Sequence, residues 1–159
     1  MTTPISGLQL WESLKGPFPN VLTEVLDDSV VIVPESVPEV ARHLKESPDL
    51  AFDYLESVTA TDYIDYFEVV YHLVSLERNH SAVLKTRTYG RDSAEVPSVT
   101  HLWRSADLQE REVFDLMGVT FTGHPNLKRI MMWEGFPGHP LRKDFLEFDH
   151  RNIVPSLEN

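Results

Sequence analysis

Residues 103–145 read WRSADLQEREVFDLMGVTFTGHPNLKRIMMWEGFPGHPLRKDF, and the understanding of the whole chain turns on this stretch. Its first part has helical spacing: Trp103, Ala106, Glu110, Val113, Phe114 and Met117 fall on one face of a helix. Gly118 stands where a helix commonly ends, on a residue in the left-handed conformation that glycine adopts at little cost. The spacing predicts a helix over 99–117, capped by Ser98 or Thr100. Beyond it come a strand-like Val119-Thr120-Phe121, a turn at 123–126, an apolar run at 130–133, and a tail paced by Gly135, Pro137, Gly138 and Pro140.

Two features go beyond simple packing. Glu110 lies on the apolar helical face, where an unpaired carboxylate is costly, so a cationic partner is expected for it. The tail His139-Pro140-Leu141-Arg142-Lys143-Asp144-Phe145 mixes apolar and charged groups in a segment too rich in Pro and Gly for a regular element. If ordered, it needs a surface to lie on, in its own domain or on another protein.

Upstream of this stretch the pattern alternates between elements. Leu8, Leu10, Trp11 and Leu14 suggest a short helix stopped by Gly16-Pro17, and Val30-Val31-Ile32-Val33 a strand ended by Pro34. Ser36 with Glu39 has capping-box spacing, Pro38 suits a first turn, and Val37, Val40, Ala41 and Leu44 supply the apolar stripe of a helix over 36–46. Strands are expected at 52–60, 67–76 and 82–89. The last two are joined by Glu77-Arg78-Asn79-His80 as a hairpin with one face on a core. Residues 90–97 read as a polar loop. The order predicts a two-layer α+β domain with a largely antiparallel mixed sheet, helices on one side, and an extended C-terminal tail. The expected division is a single domain 1–159, with an α+β core at 1–132 and a Pro/Gly-rich arm at 133–159.

The chain has 159 residues, 42% hydrophobic and 25% charged, ordinary values for one globular domain. Without cysteine it has no disulfides, no thiolate zinc and no cysteine-held iron–sulfur cluster. The first residues lack the cationic start and long apolar core of a secretory signal. No apolar run approaches the roughly 18 residues needed to span a bilayer, so membrane association is expected only through partners. The formal charge is −11, and residues 24–68 carry twelve acids against Arg42 and Lys45. That imbalance argues against nucleic acid as a ligand, because phosphate binding needs clustered Lys and Arg.

Catalytic constellations are sparse. Glu110 and Glu112, two apart on a helix, point roughly 200° apart and cannot share a substrate. Arg111 and Asp115 have i, i+4 spacing, which suits a surface ion pair or one member of an inter-subunit pair. The seven histidines show no HExxH-like spacing. His124 and His139 each precede a proline, as turn histidines bonding to backbone or as partner contacts. Gly135-Phe136-Pro137-Gly138 lacks the pattern and setting of a phosphate loop. Trp133, Phe136 and Phe145, amid Gly and Pro and near Arg142, have the make-up of interface anchors. The residues alone describe an assembly subunit without chemistry of its own. A free-standing enzyme using Glu110 and His124 as acid and base, and a free-standing binding module, are the competing classes.

Five blocks then carry a resemblance: Glu110-Arg111-Glu112, Asp115-Leu116-Met117-Gly118, Gly123-His124-Pro125, Lys128-Arg129-Ile130 and Gly138-His139-Pro140-Leu141-Arg142-Lys143-Asp144. In order and spacing they resemble the C subunit of the proton-pumping NADH-quinone oxidoreductase, complex I, known as the J subunit in chloroplasts and cyanobacteria. Weaker similarity reaches back through Val96-Pro97-Ser98-Val99-Thr100 to about Phe52. The family commonly has an aromatic where Leu108 stands, and often a longer tail after Asp144. The resemblance implies a peripheral-arm subunit with no cofactor of its own, FMN, iron–sulfur clusters and quinone belonging to other chains. Its implied neighbour is the hydrogenase-like subunit of the quinone site, and its implied place is peripheral, on the cytoplasmic side of the membrane. Equivalent subunits occur in related ferredoxin-, deazaflavin- or hydrogen-fed complexes. Partner contact is expected of Glu110, Arg111, Glu112, Asp115, His124, Trp133, His139, Arg142, Lys143 and Asp144. On that expectation Glu110→Gln or Arg142→Ala would weaken assembly more than folding.

Overall fold

The computed structural model describes residues 1–147; the part of the expected arm at 148–159 lies outside the described residues. The sheet is built on the hairpin β5 (Tyr66–Ser75) and β6 (His80–Tyr89), paired antiparallel from Tyr66↔Tyr89 to Ser75↔His80. Strand alternation places Phe67, Val69, Tyr71 and Leu73 of β5 across from Thr88, Thr86, Leu84 and Ala82 on one face. All of these are buried. The other face carries Glu68, held by Arg87 at 2.9 Å and Lys85 at 3.7 Å.

Around the hairpin, β4 (Tyr54–Asp62) pairs antiparallel with β5, with a register shift between Leu55 and Ser57. On the far side β3 (Ser29–Ile32) runs parallel to β6 and antiparallel to β2 (Leu22–Val25). A two-residue β1 (Thr3–Pro4) pairs with the start of β6. The result is a six-stranded mixed sheet of order β2-β3-β6-β5-β4, with β1 beside β6. A small parallel pair, β7 (Glu95–Pro97) and β8 (Thr120–Thr122), stands apart.

Three helices complete the α+β fold: α1 (Gly7–Leu14), α2 (Val37–Glu46) and α3 (Ala106–Met117). Leu10 and Leu14 of α1, Val37, Val40 and Leu44 of α2, and Val113, Leu116 and Met117 of α3 join the buried sheet residues in one core. That is the expected two-layer arrangement, with a mostly antiparallel mixed sheet.

Several expectations on detail are corrected. The reciprocal capping box belongs to Ser6 and Gln9 at α1, whereas Ser36 closes a 3-10 turn (Pro34–Ser36) and makes no side-chain cap. Residues 90–97 include β7, and neither β1 nor β2 was expected. The run at 130–133 forms no regular element. The organising helix begins at Ala106, seven residues later than its apolar spacing suggested. Its glutamate explains the delay: Glu110 accepts from the Val99 N–H at 2.8 Å and the Ser98 hydroxyl at 2.6 Å, which folds the preceding segment back along the helix. Trp103 still packs in the core, its indole N–H donating to the Phe52 carbonyl at 3.2 Å.

Candidate partner interface

Among the residues that the sequence singles out, Glu110 and Asp115 are both 0% exposed and are enclosed by this chain's own groups. Glu110 meets a hydroxyl and an N–H rather than the expected cation. Burial pushes its carboxyl above the ordinary range, and the bonds from Ser98 and Val99 pull the other way. Glutamine would fill the same space and keep an acceptor for the Val99 N–H.

Asp115 is the hub of the segment that follows α3. One of its oxygens, Oδ2, accepts from the N–H groups of Ile130 (3.1 Å), Met131 (2.7 Å) and Met132 (2.9 Å). The other accepts from Arg129 at 2.8 Å. Burial pushes this carboxyl up, but the three amides and the guanidinium outweigh it and hold it below the usual range. The i, i+4 pair with Arg111 does not form. Arg111 instead donates to the carbonyls of Lys128 and Arg129 at 3.1 and 3.4 Å, bracing the same loop from α3. Arg129 reaches onward to the carbonyls of Phe136 (3.2 Å) and Gly138 (2.9 Å).

The tail motif closes the end of α3. The last carbonyls of a helix have no partner inside it, and here three of them find partners 24–25 residues along the chain. His139 Nδ1–H donates to the Asp115 carbonyl at 2.8 Å, the Leu141 N–H to Leu116 at 3.0 Å, and Arg142 Nε to Met117 at 2.7 Å. Cationic groups also suit the negative end of the helix dipole. His139 stays biased to its neutral form by burial first, and then by Arg142 and Arg129. Gly118 makes the approach possible: its φ is +76°, and a Cβ there would stand 2.5 Å from the Arg142 guanidinium and 2.6 Å from the His139 ring.

A second clamp ties the tail to the sheet. Arg91 holds Asp62 through two bonds, of 2.6 and 2.8 Å, and also pairs with Asp144 at 3.0 Å. The Lys143 N–H donates to Asp62 at 2.9 Å, and Arg142 donates to the Arg91 carbonyl. Arg91 foremost, aided by the backbone donors of Lys143 and Ile64, drives the Asp62 carboxyl far below its ordinary range against the effect of burial. His124 bonds to backbone at both ring nitrogens, accepting from the Asn126 N–H at 3.0 Å and donating to the Asp107 carbonyl at 3.1 Å. Glu112 is exposed on α3, and Trp133 is 45% exposed, edge-on to Phe136 at 5.7 Å. Phe136 stacks in turn on Phe145 at 5.7 Å.

The structure therefore brings Arg111, Asp115, His139 and Arg142 into one network around the end of α3, with Lys143 and Asp144 on its sheet side. Glu110 and His124 belong to separate internal contacts. Sequence reasoning missed Arg129, Arg91 and Asp62, which hold these groups in place. Arg129 was visible only within the Lys128-Arg129-Ile130 block and was given no role, and no pattern marked Arg91 or Asp62. Beside the loop, Phe114, Leu127 and Met132 line an open cleft of about 340 Å³. Among the described residues no group of His, Asp and Glu could hold a metal ion, and no helix is long and apolar enough to cross a membrane.

Comparison with known proteins matches this sequence to one family. Residues 30–150 fit the family model described as respiratory-chain NADH dehydrogenase, 30 Kd subunit. The chain is 47% identical over 121 residues to the C subunit of NADH-quinone oxidoreductase from Roseiflexus castenholzii, covering 74% of this chain and 69% of that one. It is 46% identical over 121 residues to a second-numbered C subunit of NADH-quinone oxidoreductase from Rhizobium etli, covering 74% and 64%. Among solved structures it is similar to a chain of the membrane-bound sulfane sulfur reductase, an archaeal respiratory membrane complex. That match has a TM-score of 0.68 and 28% identity, covering 87% of this chain and 85% of the other. With its fold, its tail motif and its sequence all in agreement, this chain belongs to the family of the 30 kDa subunit of respiratory-chain NADH dehydrogenase.

Proposed function

We propose that this chain is a non-catalytic peripheral-arm subunit of a proton-translocating NADH-quinone oxidoreductase. It scaffolds the module that passes electrons from NADH, through FMN and iron–sulfur clusters carried by other subunits, to quinone. Its chief neighbour is the hydrogenase-like subunit of the quinone site, and it sits on the cytoplasmic side of the membrane through the complex. The observation that carries the reading is the family match across residues 30–150. The use made of the motif supports it: the charged residues that resemble a site are spent on ordering a surface, and they converge on no reacting position.

The similarity to a chain of the sulfane sulfur reductase favours a second reading, an equivalent subunit in a related membrane complex fed by ferredoxin, deazaflavin or hydrogen. Tagging the chain in its native host and solubilising membranes in mild detergent separates the two. Co-purified flavin and iron–sulfur subunits with NADH-dependent quinone reduction support the first reading. The same core without an NADH-binding subunit supports the second. A chain that co-purifies with no respiratory subunit refutes both.

A further inference from the structure

The large sheet ends on β2 at one side and on β4 at the other. An edge strand presents backbone N–H and C=O groups that no neighbour satisfies, a template for pairing with another chain. β2 is four residues long, and its pairing with β3 slips between Leu22 and Glu24, which blunts it. β4 is nine residues long, and from Ser57 to Asp62 its register against β5 is unbroken. Over that run Ser57-Val58-Thr59-Ala60-Thr61 carries no charge, no proline and no glycine, the composition of a strand that pairs readily with copies of itself.

α3 supplies the missing protection, packing chiefly against β4 rather than across the sheet. The Val58 N–H, on the side of β4 away from β5, donates to Gln109 Oε1 at 2.6 Å. The Ser105 hydroxyl donates to the Leu55 carbonyl at 3.1 Å. Gln109 Nε2 donates to the Ser105 carbonyl, one turn back along α3, at 3.1 Å, which sets the amide so that its oxygen faces the strand. Residues 57–60 and Gln109 also line a cleft of about 320 Å³, closed on the helix side by Val113, Leu116 and Met117, so the edge beyond Gln109 remains reachable.

We propose that Gln109, braced by Ser105, stands in for a neighbouring strand and keeps β4 from pairing edge to edge with β4 of a second copy of this chain. A side-chain amide carries the same acceptor as a backbone carbonyl, so it satisfies Val58 while offering no ladder for a further strand to continue. Without it, two copies of β4 meeting antiparallel would each satisfy the other's Val58 N–H, with uncharged Thr59 and Thr61 along the seam. Such protection matters to a chain made for a larger complex and equally to one that acts alone.

The test compares the full-length chain as wild type, Gln109→Ala, Gln109→Met, and Gln109→Ala combined with Thr59→Lys, by sedimentation velocity over a range of concentrations. Alanine removes the amide, and methionine keeps its bulk without the acceptor. Both favour a helix, and position 109 is only half-buried, so melting temperatures are expected to stay within a few degrees of wild type. Wild type is expected to sediment as a monomer, and both single variants to associate about tenfold or more tightly, as the freed N–H regains a partner. Thr59 is exposed, and a lysine on an edge strand blunts it, so the double variant is expected to return to monomer. Amide hydrogen exchange at Val58 should quicken in dilute Gln109→Met and slow again as its concentration rises. Single variants that stay monomeric overturn the inference. Association that Thr59→Lys leaves unchanged also overturns it, because the contact then lies elsewhere. So does a wild type that already associates and protects Val58 only at high concentration.

Discussion

The β6–β5–β4 sheet and the segment 128–145 are both ordered by this chain, by opposite means. In the sheet, Phe67, Val69, Tyr71, Leu73 and Leu84 share one buried face, and each contact has neighbours that make the same kind of contact. In the segment there is little regular structure, and order comes from a few polar atoms. One oxygen of Asp115 collects three amides, and three carbonyls at the end of α3 collect His139, Leu141 and Arg142. Area burial is shared and forgiving, whereas a hub of hydrogen bonds concentrates the dependence on one group. The two regions should therefore respond differently to removal of a polar atom.

The sharpest contrast is Asp115→Ala, which takes the carboxylate from the Arg129 guanidinium and the acceptor from three backbone amides at once. Losing one side of such a buried pair typically costs about 3–5 kcal/mol. Thermal unfolding followed by circular dichroism should show a melting temperature lower by about 10 °C, at about 2–4 °C per kcal/mol for a protein of this size. A shift under about 2 °C, less than a single kcal/mol, would mean that the loop does not depend on its hub.

Acid should find the same weakness. Asp62 and Asp115 both have folded pKa values below their unfolded ones, so between those values the unfolded chain binds more protons and stability rises with pH. Their contribution is complete above the unfolded carboxylate range, about 4. It is lost as pH falls through the folded values. Denaturant titrations from about pH 2 to about pH 6, which bracket that range, should give a shallower pH slope for Asp115→Asn and Asp62→Asn than for wild type. Equal slopes would sink the assignment.

Gly118→Ala tests the tail without touching a polar side chain. The left-handed conformation costs a residue with a Cβ about 1–2 kcal/mol, and crowding against His139 and Arg142 adds to it. A total loss of about 3 kcal/mol is expected, with faster amide hydrogen exchange at Leu141 than at Val69. Retained protection at Leu141 would show that the tail docks without its close approach to Gly118.

The smallest effect should have the opposite sign. The Tyr71 hydroxyl is buried in the sheet region with no hydrogen-bond partner among the described residues, and burial, with Glu110 nearby, raises its pKa. Tyr71→Phe should therefore stabilise the chain by about 1 kcal/mol, read as a higher denaturation midpoint. Destabilisation there would erase the distinction between the two regions.

The same division decides what could be read from the sequence. Alternation along 67–76 and 82–89, and the apolar stripe of Val37, Val40, Ala41 and Leu44, revealed the sheet and α2, because side-chain burial leaves a periodic trace. The start of α3 escaped the same reading because Glu110 draws back the Val99 amide, an interaction that no periodicity records. Ser36 had the right spacing for a cap, but the turn at Pro34 put its backbone in a helical conformation where the side chain makes no cap. The family motif located Asp115, Arg129, His139 and Arg142 but passed over Arg91 and Asp62. Spacing could not reveal that Asp115 would pair with Arg129 rather than Arg111, since that depends on how the loop folds back.

The closing of α3 by residues 139–142 also bears on the order of events as the chain is made. A nascent chain emerges from its N-terminus, so β5 and β6 can pair before the groups that complete α3 have been synthesised. The end of the helix must wait, frayed, for partners 24–25 residues further on. Contacts between α3 and a tail without regular pairing are expected to form after the folding barrier. Weakening them should speed unfolding and leave the folding rate almost unchanged, as stopped-flow kinetics on Arg142→Ala would register. The tail then acts as a latch, setting how long the finished protein stays closed rather than how fast it folds.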